Sequence, residues 1–134
     1  LIIQADVPSA RGLTQALGVL VIDPALEKLE RALSDPTGVY IGRGVDADAY
    51  LAGLAADIRA HICIPFQLSA TVMPPGFPNM NVGDVISGQC VAHRNGYWLV
   101  YHPEHDCFYC FWGTARSNLG AHGVFGQPLH CWSA

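Results

Sequence analysis

The residues best suited to chemistry in this chain are clustered late, in the run His102, His105, Cys107 and Cys110. These are zinc-ligand types, and tetrahedral zinc sites draw on two pairs of such side chains. Their spacing argues against a shared ion. Cysteines three apart on a regular strand point to opposite faces, whereas structural zinc sites hold the two cysteines of such a pair on a tight knuckle. Phe108 and Tyr109, the residues between them, are strand formers rather than turn residues. No metal or cofactor is assigned, and His102 with Cys107 would be the members of a site if one existed.

Thiol catalysis needs a cysteine made acidic by a neighbouring histidine, cation or helix N-terminus. His61 with Cys63 and His102 with Cys107 are the candidate pairs. Cys63 follows a helix end, where the dipole should raise its pKa and blunt it as a nucleophile. No cysteine-hydrolase signature surrounds Cys107. The carboxylates Asp46, Asp48 and Asp57 belong to a helix, and Glu104 and Asp106 to a turn, so no acid–base pair is visible. Gly42-Arg43-Gly44 lacks the Lys-Ser/Thr end of a phosphate loop. No catalytic residue is assigned.

The element that must position His102 and Cys107 is Asp84 to Gly113, which reads as three consecutive antiparallel strands. Asn95-Gly96 between two β-rich runs is a hairpin signal, because a type I′ turn needs positive φ at both central residues. A two-residue loop opposes Arg94 to Tyr97, His93 to Trp98, Val91 to Val100 and Gln89 to His102. The turn Pro103-Glu104-His105-Asp106 then opposes His102 to Cys107, Val100 to Tyr109 and Trp98 to Phe111. Strand alternation sorts these into two faces. Ile86, Gly88, Cys90, Ala92, Tyr97, Leu99, Tyr101, Phe108, Cys110 and Trp112 form one that reads as core. Val85, Ser87, Gln89, Val91, His93, Trp98, Val100, His102, Cys107, Tyr109 and Phe111 form the other. That second face mixes aromatics with polar groups and reads as a partly exposed surface, with the loop from Pro74 to Asn81 as its alternative cover.

Upstream, Leu1 to Ile3 reads as a short strand, Ser9 as the cap of a helix to Leu17, and Val19 to Ile22 as a strand or helix tail. Asp23-Pro24 should start a helix with Leu26, Leu29 and Leu33 on one side, through Ser34. Val39 to Ile41 is a β-prone run. Asp46 should cap a helix from about Ala47 to His61 with Tyr50, Leu51, Leu54, Ile58 and Ile62 as its stripe. Phe66 to Met73 reads as a strand. The glycines from Gly120 to Gly126 read as loop, and Leu129 to Trp132 as a final edge strand. The sum is a single α+β domain, its N-terminal helices packed on one face of a mostly antiparallel sheet.

At 134 residues the chain can bury a core without staples. Its five cysteines are therefore expected as reduced thiols, with disulfides in a secreted form the alternative. Seven basic against eleven acidic residues leave a charge of -4, which argues against nucleic acid and favours a basic protein partner. No apolar run reaches the length of a membrane helix.

A small acidic α+β domain with helices first and a Trp/Tyr-rich meander, Tyr97-Trp98-Leu99-Val100-Tyr101 and then Cys107-Phe108-Tyr109-Cys110-Phe111-Trp112-Gly113, resembles bacterial toxin-immunity proteins of the contact-dependent inhibition type. The resemblance implies a non-enzymatic inhibitor that binds a cognate, often basic, toxin domain in the cytoplasm. It assigns no residues. The register alone nominates Gln89, His93, Trp98, His102 and Tyr109 as partner-binding, and the acidic turn adds Glu104 and Asp106. The competing readings are a small enzyme or ligand-binding domain with a His/Cys pocket on the same face, and a homo-oligomer that buries this face on itself.

Overall fold

A computed structural model describes residues 23–134. The first strand, the helix capped by Ser9 and the run at Val19 expected from the sequence lie outside the described residues. Two helices come first. Helix α1 (Pro24–Ala32) starts where Asp23 accepts the Ala25 amide at 2.8 Å, and it buries Ala25, Leu29 and Ala32. Helix α2 (Ala47–Ala60) is capped by Asp46, which accepts the Ala49 amide at 3.1 Å. Its buried contacts are Ala55 and Ile58, while Tyr50, expected in the stripe, stays exposed. Val39 to Ile41 forms no strand and Tyr40 is 81% exposed. No ladder offers that run a partner, and β-propensity without pairing does not make a strand.

Five strands follow: β1 (Ile62–Val72), β2 (Val85–Arg94), β3 (Tyr97–His102), β4 (Cys107–Trp112) and β5 (Gly120–Gly126). They close into a barrel in sequence order, antiparallel throughout except for the seam, where β1 and β5 pair in parallel through Thr71↔Gly120 and Val72↔Ala121. The fold is thus α+β, with the sheet curled shut. The turn residues Asn95 and Gly96 hold φ of 41° and 81°, which is the type I′ requirement. The expected β3–β4 register is met at every named pair, Trp98↔Phe111, Val100↔Tyr109 and His102↔Cys107.

The β2–β3 register departs halfway. Arg94↔Tyr97 and His93↔Trp98 form as expected, but Cys90 rather than Val91 opposes Val100, and Gln89 opposes Tyr101 rather than His102. Val91 is the extra residue of a β-bulge, which turns it and Ala92 to the same side against Leu99. One inserted residue reverses the facing of everything before it on β2. Ile86 and Cys90 therefore point into the barrel, not toward the helices.

Two cores result. The outer one lies under the helices and joins Leu29, Leu33, Ile58, Val91, Leu99, Phe108, Cys110, Leu129 and Trp132. The inner one fills the barrel with Leu68, Val72, Ile86, Cys90, Trp98, Val100, Tyr109, Phe111 and Ala121. The aromatic face expected at the surface is this barrel interior. Phe77 closes one end of it, edge-on to Tyr109 at 5.1 Å, so the Pro74–Asn81 loop is a lid on the core.

The C-terminal segment also differs from expectation. Leu129 to Trp132 is not an edge strand but part of helix α3 (Pro128–Ser133), and the glycine-rich stretch before it supplies β5. With β5 sealing β1, the barrel has no edge for a further strand, and Pro128 presets the first helical position. Helix α3 buries Leu129, Cys131 and Trp132, with the Trp132 indole donating to Asp57 on α2 at 2.7 Å and the Tyr97 hydroxyl donating to the Cys131 carbonyl. No helix among the described residues is long and apolar enough to cross a membrane.

Two substitutions test this packing by chemical denaturation. A Cβ on Gly88 would sit 2.6 Å from both the Tyr101 carbonyl oxygen and Val100 Cγ1. Gly88→Ala should therefore cost roughly 2 kcal/mol through overpacking. Trp98→Ala, at a position 8% exposed, should cost about 3–5 kcal/mol. A surface position would lose well under 1 kcal/mol, roughly ±0.5.

Candidate functional site

Barrel closure buries part of the face nominated from the register, and the bulge turns Gln89 away from the rest. Trp98 and Tyr109 are 8% and 3% exposed and belong to the barrel core, where the Trp98 indole donates to the Gly113 carbonyl at 2.9 Å. They are not available to a partner. His93 is half-buried and stacks on Trp98 at 4.7 Å, at one end of β3. His102 stands at the other end, stacked on His105 at 4.1 Å. Four residue steps along β3 separate the pairs, roughly 13 Å at 3.3 Å per step, so His93, His102 and Cys107 line no common pocket.

Gln89 turns the other way. Opposed to Tyr101, it faces α1 and lines a groove of about 430 Å³ with Asp23, Glu27, Lys28, Arg31, Tyr101 and Pro103. The β3–β4 turn forms one wall. Asp106, at φ 50°, accepts from the Tyr101 hydroxyl at 2.7 Å and pairs with Lys28 Nζ at 2.9 Å. The Lys28 ammonium, and after it the Tyr101 hydroxyl, hold the Asp106 carboxyl below its usual range, while burial and this carboxylate push the Tyr101 phenol up to about 12. Arg31 is paired within its own helix to Glu27 at 3.1 Å. Both groove cations thus have partners, and Glu104, beside Pro103, is exposed. Of the nominated residues, Gln89 lines this groove and Asp106 pairs with Lys28 on it, whereas Glu104 lies near His102 in the adjoining turn and neither of these two lines the groove.

Cys107 and Cys110 face opposite sides, as alternation requires: Cys110 is buried under the helices and Cys107 packs on the barrel core. Burial pushes the Cys107 thiol up. His102 Nδ1 accepts the His105 amide at 3.2 Å, so that nitrogen is occupied within the turn. Among the described residues no three His, Cys, Asp or Glu side chains converge as a metal site would need.

The sequence pairs Cys63 with His61 as a candidate but gives no sign of the Cys90 and Arg116 side chains that surround it. This cysteine is the second residue of β1, and the Cys90 thiol together with the Arg116 guanidinium holds it below the usual thiol range despite burial. Arg116 lies in the loop after β4, 53 positions along the chain, and no local pattern couples it to Cys63. All five cysteines are free thiols.

No family model, curated protein or solved structure matches the chain.

The two half-buried histidines give this region a pH dependence. Burial, and after it Arg116 and His61 for His93 and His105 for His102, lower both below the ordinary value of 6.5. The unfolded chain then binds protons more readily than the folded one, so stability is full above pH 6.5 and declines as pH falls through it. Urea unfolding should show a lower midpoint at about pH 5.5 than at about pH 7.5, and His93→Gln with His102→Gln should flatten the difference. An unchanged wild-type midpoint would rule the effect out.

Proposed function

We propose that the protein is a non-enzymatic binding module, of the kind that toxin-immunity proteins represent, and that its groove between α1 and the β2–β3 surface receives a basic segment of a partner toxin domain in the cytoplasm. The observation that carries this reading is the excess of carboxylates in and beside the groove. Asp23 and Glu27 line the groove with Lys28 and Arg31, Asp106 of the adjoining turn pairs with Lys28, and exposed Glu104 follows the lining residue Pro103, so four carboxylates against two cations leave an excess of two negative charges in and beside the groove. A net negative potential focused in a groove speeds encounter with a positive partner and fixes its orientation. Tyr101 and Pro103 supply a rigid apolar floor, and Gln89 a polar contact for register. The overall charge of -4 extends the same bias to the whole chain.

Trp98 and Tyr109 have no contact role in this account, which separates it from a flat aromatic interface. The test is affinity capture of a cognate toxin domain with wild-type protein and with Glu27→Lys and Glu104→Lys. The wild type should hold a basic domain in a stoichiometric complex. Each charge reversal should weaken it by about tenfold at low salt, with the difference shrinking as salt rises. Binding indifferent to both reversals, or an acidic partner, would overturn the proposal.

A further inference from the structure

The ladder between β1 and β2 breaks at one place. Ile62↔Ala92 and Phe66↔Cys90 flank the break, leaving Cys63, Ile64 and Pro65 on β1 opposite the bulged Val91 on β2. At this break two cysteines meet. Cys63 Sγ lies 3.6 Å from the Cys90 carbonyl oxygen, and its side chain packs on the core cluster that contains Cys90. Their access to solvent differs: Cys63 is half-buried, whereas Cys90 is 0% exposed beneath it. A cation stands at the rim, since the Arg116 guanidinium sits 4.0 Å above the ring of Phe66, the ladder partner of Cys90. The His93 imidazole meets the same ring edge-on at 6.1 Å.

We propose that Cys63 and Cys90 form a peroxide-responsive thiol pair, with Cys63 as the attacking thiol and Cys90 as the resolving one. An accessible thiol beside a cation, with a second thiol within reach and shielded from solvent, is the arrangement that favours sulfenic acid formation followed by capture as a disulfide. In the first step the Cys63 thiolate attacks one oxygen of hydrogen peroxide. The S–O bond forms as the O–O bond breaks, the sulfur loses two electrons, and the departing hydroxide is protonated to water. In the second step the Cys90 sulfur attacks the sulfenic sulfur. The S–S bond forms, the S–O bond breaks, and the hydroxyl leaves as water with the Cys90 proton. Two thiols and one hydrogen peroxide give one disulfide and two waters.

The other cysteines lack this setting. Burial pushes Cys107, Cys110 and Cys131 upward, and the contact with Cys63 raises Cys90, so Cys63 alone among the five is shifted toward the thiolate. The bridge would staple β1 to β2 where backbone pairing is missing. It is independent of the groove and of any partner bound there.

Peptide mapping of the intact native protein decides the matter. Trypsin leaves both cysteines on the peptide 60–94, because no Lys or Arg lies between them, and cleavage before Asp84 separates them unless they are bridged. After hydrogen peroxide and iodoacetamide, that peptide should be two hydrogens lighter, carry no alkyl group and stay joined after the second cleavage, with dithiothreitol reversing all three. Without peroxide, iodoacetamide should label Cys63 on the order of tenfold faster than any other cysteine. Arg116→Gln should slow that labelling severalfold, while Arg43→Gln in an exposed loop should not. A bridge among Cys107, Cys110 and Cys131, a Cys63 labelled no faster than the rest, or a Cys63 sulfinic acid beside an alkylatable Cys90 would each overturn the proposal. The wild-type map alone reads the bridge, so a variant that fails to fold leaves the test intact.

Discussion

A five-stranded sheet closes on itself only if its strands coil strongly, and the extra residue Val91 is where β2 does so. A bulge sharpens the local right-handed twist and bends the strand that carries it. Here it lets β2 follow β3 at Arg94 and His93 and then curl away to meet β1 along Gln67 to Thr71. The parallel seam of β5 on β1 completes the circuit. Because the bulge turns both Val91 and Ala92 outward, it supplies the outer core with two apolar side chains opposite Leu99 and hands Ile86 and Cys90 to the inner core. Both cores depend on that step in register, together with the shifts between Ile62 and Phe66 on β1 and between Tyr109 and Phe111 on β4.

The helices then have a single place to go. Leu99, Phe108 and Cys110 present a curved apolar surface outside the barrel, and α1, α2 and α3 cover it. Directed bonds fix the layer: the Trp132 indole on Asp57, the Tyr97 hydroxyl on the Cys131 carbonyl, and the Arg94 guanidinium paired with Asp57 at 3.3 Å. Beside the contact of α1 with β2 the groove opens, edged by Pro103 of the β3–β4 turn and held by the Lys28–Asp106–Tyr101 contacts. The binding surface proposed here is thus the margin of the helix layer rather than a face of the sheet.

The parts of the fold legible in the sequence are those governed by neighbours in the chain. Asp23-Pro24 and Asp46 announce their helices because a cap acts within three residues. Asn95-Gly96 fixes the hairpin, and the short turn after His102 sets the β3–β4 pairing. The rest depends on closure, which no short window contains. Val91 is an ordinary strand former, and nothing beside it marks a bulge. The glycines of β5 read as loop because their strand exists only between β4 and β1, and Leu129 to Trp132 reads as strand because its helix is dictated by the surface waiting for it. The site followed suit. Glu104 and Asp106 lie where the turn put them, Gln89 moved to the groove with the slipped register, and Trp98 and Tyr109 passed from surface to core.

The measurement that bears most directly on this account is the cross-strand proton contact pattern of β2 and β3 by NMR in the folded protein. The bulged register predicts Cys90 facing Val100 and Ala92 facing Leu99, with the Trp98 indole proton protected from exchange by its bond to Gly113. Val91 facing Val100, together with a freely exchanging Trp98 indole, would mean a regular hairpin with its aromatic face in solvent, and would contradict both the barrel and the placement of the binding surface.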